Sequence, residues 1–228
     1  PLKEEMMEIK MEIKQRQLQY AGIFKGVSGR ILEIGCGRGE LLDVFCKNGL
    51  NAWGVDLDAA MAERAKEKGL EVEVGDGLKV LEQQADASLG GIIALQFVEH
   101  LPNDQLYRLL DLIWRKLKNG GMVLLETINP QSFAALACNF FRDPTHRWPL
   151  HPDTLKMLLE MQGFKTDNIV YSAPYPHSAK LSEIPIELHM PARWQHTLAM
   201  INDNMQRLNN LLFGYQDYAI IAQKTLQS

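Results

Sequence analysis

The chain has 228 residues, of which 46% are hydrophobic, and this is enough for one domain with a substantial core plus an appendage. Its net charge of −4 argues against a general nucleic-acid binder, because counterion release needs clustered Lys and Arg. The three cysteines form no CxxC pair, which argues against a disulfide framework or a zinc cluster. No apolar run reaches the ~20 residues of a membrane span, and the N-terminal region is charged, so we expect a cytoplasmic protein that binds no DNA.

Residues 2–20 predict an amphipathic helix that ends near Gly22. Its apolar side chains recur at steps of three, four or seven, at Leu2, Met6, Ile9, Ile13 and Tyr20. We assign residues 1–28 to this N-terminal segment. Two interpretations are open: the helix packs over an edge of the following domain, or it is a lid that closes on bound ligands.

A strand, a tight turn and a helix follow in residues 31–45. Apolar β-formers run into the alternating glycines of GCGRG, and a helix-like pattern begins at Leu41. Glycine lets the backbone bend sharply and lets a ligand approach it closely, with helix N–H groups free to meet it. The spacing lacks the third-glycine offset of the dinucleotide fingerprint and the Gly-Lys-Ser/Thr of a P-loop, so it disfavours phosphate binding.

The next two strands both end in carboxylates. Residues 51–56 predict a strand that ends at Asp56, about 20 residues after the glycine turn, where an acid of a Rossmann-like unit reaches ribose hydroxyls. The alternative is that Asp56 only caps the next helix, although Asp58 is better placed for that role. Alternating residues 71–77 suit a third strand that ends at Asp76 and Gly77.

Residues 90–96 predict a buried fourth strand with Gln96, Glu99 and His100 at its carboxyl end, where open α/β sheets bind ligands. A helix and a fifth strand at 122–127 follow, and the alternation of strand and helix predicts a doubly wound sheet. The irregular segment 129–149 carries many aromatic and basic side chains, and we interpret it as a substrate loop.

The last part of the chain predicts a helix from Pro152, a strand at 164–171, a second amphipathic helix and a final strand at 215–223. The helix carries one apolar stripe that includes Trp194, Ile201, Met205 and Leu208. Because this stripe and that of the N-terminal helix share coiled-coil-like spacing, we predict that the two helices pack near each other over the mouth of the site. The alternative is a seam between two copies in a homodimer.

Residues 33–39, with the spacing Glu-x-Gly-x-Gly-x-Gly, resemble motif I of the class I S-adenosylmethionine (SAM) dependent methyltransferases. The resemblance covers residues 29–171 and 215–223. It implies a Rossmann-like, doubly wound sheet of seven strands with the last strand antiparallel, a methyltransferase domain at 29–228 and SAM as the cofactor. In this class strands six and seven form a close antiparallel pair, so residues 172–213 would be an inserted substrate cap.

The resemblance also implies which residues bind SAM. Leu57 would lie against the adenine, and Asp76 would accept a hydrogen bond from its amino group, unless Asp76 forms only an Asx-type turn. Gln96 would meet the methionine part. The expected cofactor-binding residues are Glu33, Gly35, Cys36, Gly37, Gly39, Asp56, Leu57, Asp76, Gly77 and Gln96.

A narrower resemblance, in residues 89–92, 126–130, 143–146 and 210–219, is to methyltransferases that accompany glycosyltransferases and act on surface polysaccharides. It implies methylation of an oxygen of a small-molecule or glycan acceptor, either a sugar hydroxyl or a phosphate. Glu99-His100 also resembles the Glu-x-x-Glu-His motif of the metal-assisted O-methyltransferases of quinone biosynthesis and of small-RNA 3′ ends. Gln96 replaces the first acid of that motif, so we predict no metal. A non-catalytic SAM-binding protein is a further alternative.

Methyl transfer from a sulfonium is an in-line displacement, so an enzyme contributes mostly by positioning the acceptor and excluding water. A hydroxyl acceptor needs a base with a pKa near neutrality, which histidine supplies, whereas a phosphate or carboxylate acceptor needs none. We expect catalytic roles for Glu99, His100 and His146. Arg142, Arg147 and His151 are the expected substrate-binding residues, and both arginines suit an anionic group.

Overall fold

The computed structural model describes residues 2–167 and 169–225, apart from the side chains of residues 2–6 and 8–10. The helices are α1 Leu2–Ile23, α2 Glu40–Lys47, α3 Ala59–Lys66, α4 Gly77–Gln83, α5 Asn103–Lys116, α6 Pro152–Met161 and α7 Ala192–Leu212. The strands are β1 Arg30–Ile34, β2 Ala52–Asp56, β3 Val72–Val74, β4 Leu89–Leu95, β5 Leu117–Ile128, β6 Phe164–Thr166, β7 Val170–Pro174 and β8 Tyr215–Lys224. A 3-10 turn at Val98–His100 follows β4, and a π-helical turn at Ala135–Phe140 follows β5.

All of these strands belong to one sheet, in the order β3-β2-β1-β4-β5-β8-β6, and β7 also pairs with β8. Strands β1 to β5 are parallel, whereas β8 runs antiparallel to β5, β6 and β7. This confirms the predicted doubly wound sheet with an antiparallel last strand. The strand order reverses between β1 and β4, so the carboxyl ends of these two strands border the crevice in which such sheets bind ligands.

The core lies on both faces of this sheet. On one face, Tyr20 of α1, Phe24 just after it and Phe45 of α2 are almost completely buried. On the other face, Leu81 of α4 and Leu109 of α5 are fully buried with the opposite side chains of the central strands. These helices thus cover the sheet with their apolar faces.

The predicted sixth strand is two short strands, so the sheet has eight strands instead of seven. Thr166 pairs with Ala222, whereas Val170 pairs with Ala219. The segment from β6 to β7 thus advances by four residues while β8 advances by three. The register with β8 therefore shifts by one residue between β6 and β7. The hydrophobic pattern of 164–171 gives no sign of this break.

Residues 172–213, the predicted insertion, contain an extended segment and α7. Amide side chains at seven-residue intervals on α7 bind the backbone of the extended segment: Gln195 bonds Leu188 and Met190, Asn202 bonds Ile184, and Asn209 bonds Leu181. The neighbouring stripe of Trp194, Ile201 and Leu208 is exposed. Its use as a homodimer seam stays a prediction.

The terminal helix does not show the predicted pairing with α7 among its main contacts, which are with α2 and β7. Of its predicted stripe, Ile13 is exposed and Tyr20 is buried, while the side chains of Leu2, Met6 and Ile9 lie outside the described residues. A search of the described residues finds no helix with both the length and the apolar character of a membrane span.

Candidate active site

The glycine turn between β1 and α2 lies at the crevice. Gly37 has φ +53° and Gly39 has φ +72°, a left-handed conformation that side chains disfavour. A Cβ on Gly39 would stand 2.5 Å from Leu70 Cδ1, so this glycine allows α3 and α2 to pack closely. A Cβ on Gly37 would meet no atom within 4 Å, so this glycine leaves open space above the turn.

Asp56 connects the end of β2 to this turn. Its Oδ2 accepts a hydrogen bond from the Gly37 N–H at 2.7 Å, and its Oδ1 accepts one from the Asp58 N–H at 2.8 Å. Asp58, and not Asp56, caps α3 by accepting from the Ala60 N–H at 2.8 Å, as its position predicted. Leu57, between the two acids, is 78% exposed, an unusual position for a large apolar side chain.

Asp76 caps α4, since its Oδ1 accepts hydrogen bonds from the N–H groups of Leu78 and Lys79 at 2.9 and 3.3 Å. The predicted Asx-type turn is therefore present, and a bond to adenine stays a prediction. Gly77 follows it, and a Cβ there would overlap Ile34 of β1. This glycine has a packing role that the sequence did not reveal.

Glu33 is the second-last residue of β1 and is 5% exposed, with no hydrogen-bond partner for Oε2 among the described residues. Burial, together with the nearby Glu40 carboxylate, raises the pKa of Glu33 to about 8. The adjacent Cys36 thiol is also buried, which raises its pKa to about 12. A cationic group brought into this corner would find an unpartnered carboxyl oxygen.

Gln96 stands at the end of β4, between the glycine turn and the loop after β5. Its φ of +49° is uncommon for a residue other than glycine. The Gln96 N–H donates to the Glu126 carbonyl at 2.8 Å, and Nε2 donates to Asp217 Oδ1 at 3.1 Å. A Cβ on Gly35 would lie 3.3 Å from the ring of Phe97, so the turn and the end of β4 are in contact.

The three predicted catalytic side chains form one cluster. One donor atom from each of Glu99, His100 and His146 lies within 4.8 Å of the others. Glu99 is 1% exposed, and neither of its carboxyl oxygens has a hydrogen-bond partner in the described part of the chain. Burial raises the pKa of Glu99 to about 7.

Hydrogen bonds orient both imidazoles of this cluster. His146 Nδ1 donates to the Phe140 carbonyl at 2.7 Å, which leaves Nε2 as the basic nitrogen. Thr145 donates its hydroxyl proton to Asp143 at 2.6 Å, so its oxygen accepts from His100 Nδ1 at 2.8 Å. His100 Nε2 is then basic as well, and burial lowers the pKa of His100.

A cleft of ≈ 440 Å³ adjoins the cluster, and residues of the predicted substrate loop line it with Gln96 and Ile128. Arg142 and His146 are among the lining residues, and their predicted roles toward substrate stay predictions; Asn139 is a lining residue that the sequence did not reveal. Arg147 contacts the site through its backbone, whose N–H donates to the Glu99 carbonyl at 2.7 Å. His151 caps α6 by accepting from the Asp153 N–H and is not part of the cleft lining.

A second group of residues near Gln96 escaped the sequence analysis. Arg16 of α1 contacts Glu126 at 3.5 Å and Asp217 at 3.2 Å, and the Tyr20 hydroxyl donates to Glu126 at 2.5 Å. Arg16 and Tyr20 are four residues apart and so share one helix face. That spacing was the available signal, but only the fold shows which acids they meet.

Comparisons with known proteins agree with this geometry. Residues 5–169 match a family model described as a methyltransferase domain. A crystal structure of a SAM-dependent methyltransferase from Archaeoglobus fulgidus superposes with a TM-score of 0.84 and 38% identity, over 93% of both chains. The chain belongs to the SAM-dependent methyltransferases.

Curated relatives of this methyltransferase include two named ubiquinone biosynthesis O-methyltransferase. The one from Dinoroseobacter shibae is 31% identical over 66% of this chain and 64% of its own length. The one from Alkalilimnicola ehrlichii is 30% identical over 60% of this chain and 61% of its own. The match therefore spans less than two thirds of these relatives.

The crevice fits SAM, which is the cofactor of this methyltransferase family. The exposed Leu57 offers an apolar surface of the kind that adenine covers, and the Asp56 oxygens, each with one hydrogen bond, retain capacity for ribose hydroxyls. Gly37 leaves room above the turn, and Glu33 has an unpartnered carboxyl oxygen. These features suit a ligand with an adenosine part and a cationic amino-acid part.

Proposed function

We propose that this methyltransferase transfers the methyl group of SAM to an oxygen of a small-molecule or glycan acceptor bound in the 440 Å³ cleft. The observation that carries the proposal is the cluster of Glu99, His100 and His146 beside that cleft, because both imidazoles direct a basic nitrogen away from their anchoring bonds. Oxygen acceptors with a hydroxyl group need such a base, whereas thiolates and amines need it less. The names of the curated relatives support an oxygen acceptor.

In this proposal the cofactor occupies the crevice above the glycine turn. Asp56 binds the ribose hydroxyls, Leu57 covers the adenine, and Asp76 accepts from its amino group. Gln96 adjoins both the turn and the cleft, so it lies beside the methionine part and the acceptor. Bound SAM supplies an electrophilic methyl group and a neutral thioether leaving group.

The chain's own residues then position the acceptor and accept its proton. His146 Nε2 would accept the proton of the hydroxyl while bound SAM supplies the methyl group, and it would return that proton to solvent after S-adenosylhomocysteine (SAH) is released. The Phe140 carbonyl, by accepting from Nδ1, stabilises the imidazolium that forms. Arg142 at the cleft wall binds an anionic group of the acceptor, such as a phosphate.

The acceptor class is tested by SAM turnover with three sets of compounds: sugars and nucleotide sugars, phenols of the kind found in quinone precursors, and phosphate or carboxylate compounds. SAH release in the presence of one set, with none in its absence, supports the proposal. Methylation of amines or thiols alone would contradict it. SAM binding without turnover on any set would favour the non-catalytic alternative.

A second candidate is a metal-assisted O-methyltransferase, which a specific observation favours. The buried Glu99 carboxylate, whose two oxygens have no hydrogen-bond partner among the described residues, lies within 4.8 Å of two imidazole donors, and these are metal-ligand groups. Glu99, His100 and His146 would hold the ion, which would lower the pKa of the acceptor hydroxyl. One carboxylate and two imidazoles suit Mn²⁺, Fe²⁺ or Zn²⁺ better than Mg²⁺.

The two candidates differ in their response to chelation. Turnover is measured after treatment with EDTA and after return of Mn²⁺, Zn²⁺ or Mg²⁺ to the treated protein. Unchanged turnover supports the base mechanism with His146. Loss of turnover that one of the ions restores supports the metal-assisted mechanism, in which His146 is a ligand.

A further inference from the structure

The buried network that joins α1 to the ends of three strands has more negative than positive groups. Asp217 of β8 accepts from Arg16 through Oδ2 at 3.2 Å and from Gln96 Nε2 through Oδ1 at 3.1 Å. Glu126 of β5 accepts from Tyr20 and pairs with Arg16. Arg16 is the one cation within ion-pair distance of either acid in the described residues, so two carboxyls share a single guanidinium.

Burial makes this excess costly. The side chain of Glu126 is 2% exposed and that of Asp217 is 17% exposed. Burial raises the pKa of both carboxyls, and the guanidinium of Arg16 that they share offsets this rise only in part. A group with a positive charge brought close to the pair would offset this cost, whereas a neutral group of the same shape would not.

Gln96, which is a partner of this network, lies between the glycine turn and the acceptor cleft. It follows β4 next to Phe97, whose ring approaches Gly35 of the turn, and it lines the cleft. In the proposed function, a methyl group that passes from a cofactor above the turn to an acceptor in the cleft would pass close to Gln96. The sulfur that carries the methyl is a sulfonium in SAM and a neutral thioether in SAH.

We propose that Asp217 and Glu126 are specificity-determining residues that favour the cationic cofactor SAM over the neutral-sulfur product SAH. Asp217 also positions the Gln96 side chain, since its Oδ1 accepts a hydrogen bond from Gln96 Nε2. The network thus weakens its interaction with the ligand when the methyl group leaves, which promotes product release. The inference depends on SAM binding and not on which acceptor is methylated.

The test compares the dissociation constants of SAM and SAH by isothermal titration calorimetry. Asp217→Asn and Glu126→Gln each remove one charge and keep the shape, with one carboxyl oxygen replaced by an amide NH2. A unit charge at about 8 Å, with an effective dielectric constant of about 40, corresponds to a change of about fivefold in Kd. We therefore expect each variant to weaken SAM binding about fivefold more than it weakens SAH binding.

The matched control is Asp203→Asn, which removes an exposed carboxylate that pairs with Arg207 on α7. Its Kd values for SAM and SAH should equal those of the wild type. Equal weakening of SAM and SAH in both acid variants would show a merely structural role and overturn the proposal, as would an unchanged ratio. Thermal unfolding confirms that each variant is folded, and if Asp217→Asn is not, the ratio for Glu126→Gln decides alone.

Discussion

Replacing Glu33 by glutamine should make the cofactor-free protein more stable at high pH. Burial holds the pKa of this carboxyl at about 8, against an ordinary value of 4.5, so the folded chain keeps a proton that the unfolded chain loses. Below pH 4.5 the carboxyl is protonated in both the folded and the unfolded chain, so its burial does not lower the free energy of unfolding. As the pH rises to about 8, the unfolded chain loses this proton first, and the free energy of unfolding falls. The difference between these values, at about 1.4 kcal/mol per pKa unit, gives a ceiling of about 5 kcal/mol.

Urea unfolding of the wild type and of Glu33→Gln between pH 4.5 and 9 measures this effect. The two proteins should have similar free energies of unfolding at the acid end, and the variant should gain a few kcal/mol by the alkaline end. Glu73→Gln, on the exposed face of β3, is the control and should show no such divergence. Parallel pH profiles for Glu33→Gln and the wild type would refute a carboxyl that is held neutral by burial.

Three further changes probe the site and its support. Asp56→Ala should weaken SAM binding by about 1.5–3 kcal/mol through the loss of a charge-assisted hydrogen bond, and calorimetry that shows wild-type affinity would exclude a ribose-binding role. His146→Ala should lower kcat at least ~100-fold and leave SAM binding intact, and normal turnover would mean that the acceptor is already anionic. Tyr20→Phe should lower the free energy of unfolding by about 1–3 kcal/mol, since it removes a donor from buried Glu126, and an unchanged value in denaturant unfolding would contradict that account.

Most of the sheet could be predicted from the sequence, because β1 to β5 and their helices follow a simple alternation of apolar periods and turn residues. The split between β6 and β7 could not, since the one-residue shift of register against β8 leaves no mark on the hydrophobic pattern. The sequence also could not predict what packs against the apolar stripe of α7, which is exposed. An apolar period shows that a helix has an apolar face, but it does not show which surface covers that face.

For the candidate site, the positions of the residues along the chain could be predicted in part, but the contacts between distant segments could not. Glu99 and His100 follow one strand, and His146 follows the next, so their convergence could be expected from the rule that parallel strands end at one edge. The hydrogen bonds that fix the imidazole nitrogens could not be expected, because Phe140 and Thr145 contribute through loop geometry. The pairing of α1 with the acids of β5 and β8 spans most of the chain and has no local signal.

The atom that receives a labelled methyl group decides whether this protein is an O-methyltransferase. Wild-type protein and His146→Ala are incubated with methyl-labelled SAM and the acceptor found by the turnover screen, and the product is analysed by mass spectrometry and NMR. The account predicts one methyl group attached to oxygen, formed by the wild type and at least ~100-fold more slowly by the variant if the acceptor is a hydroxyl. A methyl group attached to carbon, nitrogen or sulfur would contradict it.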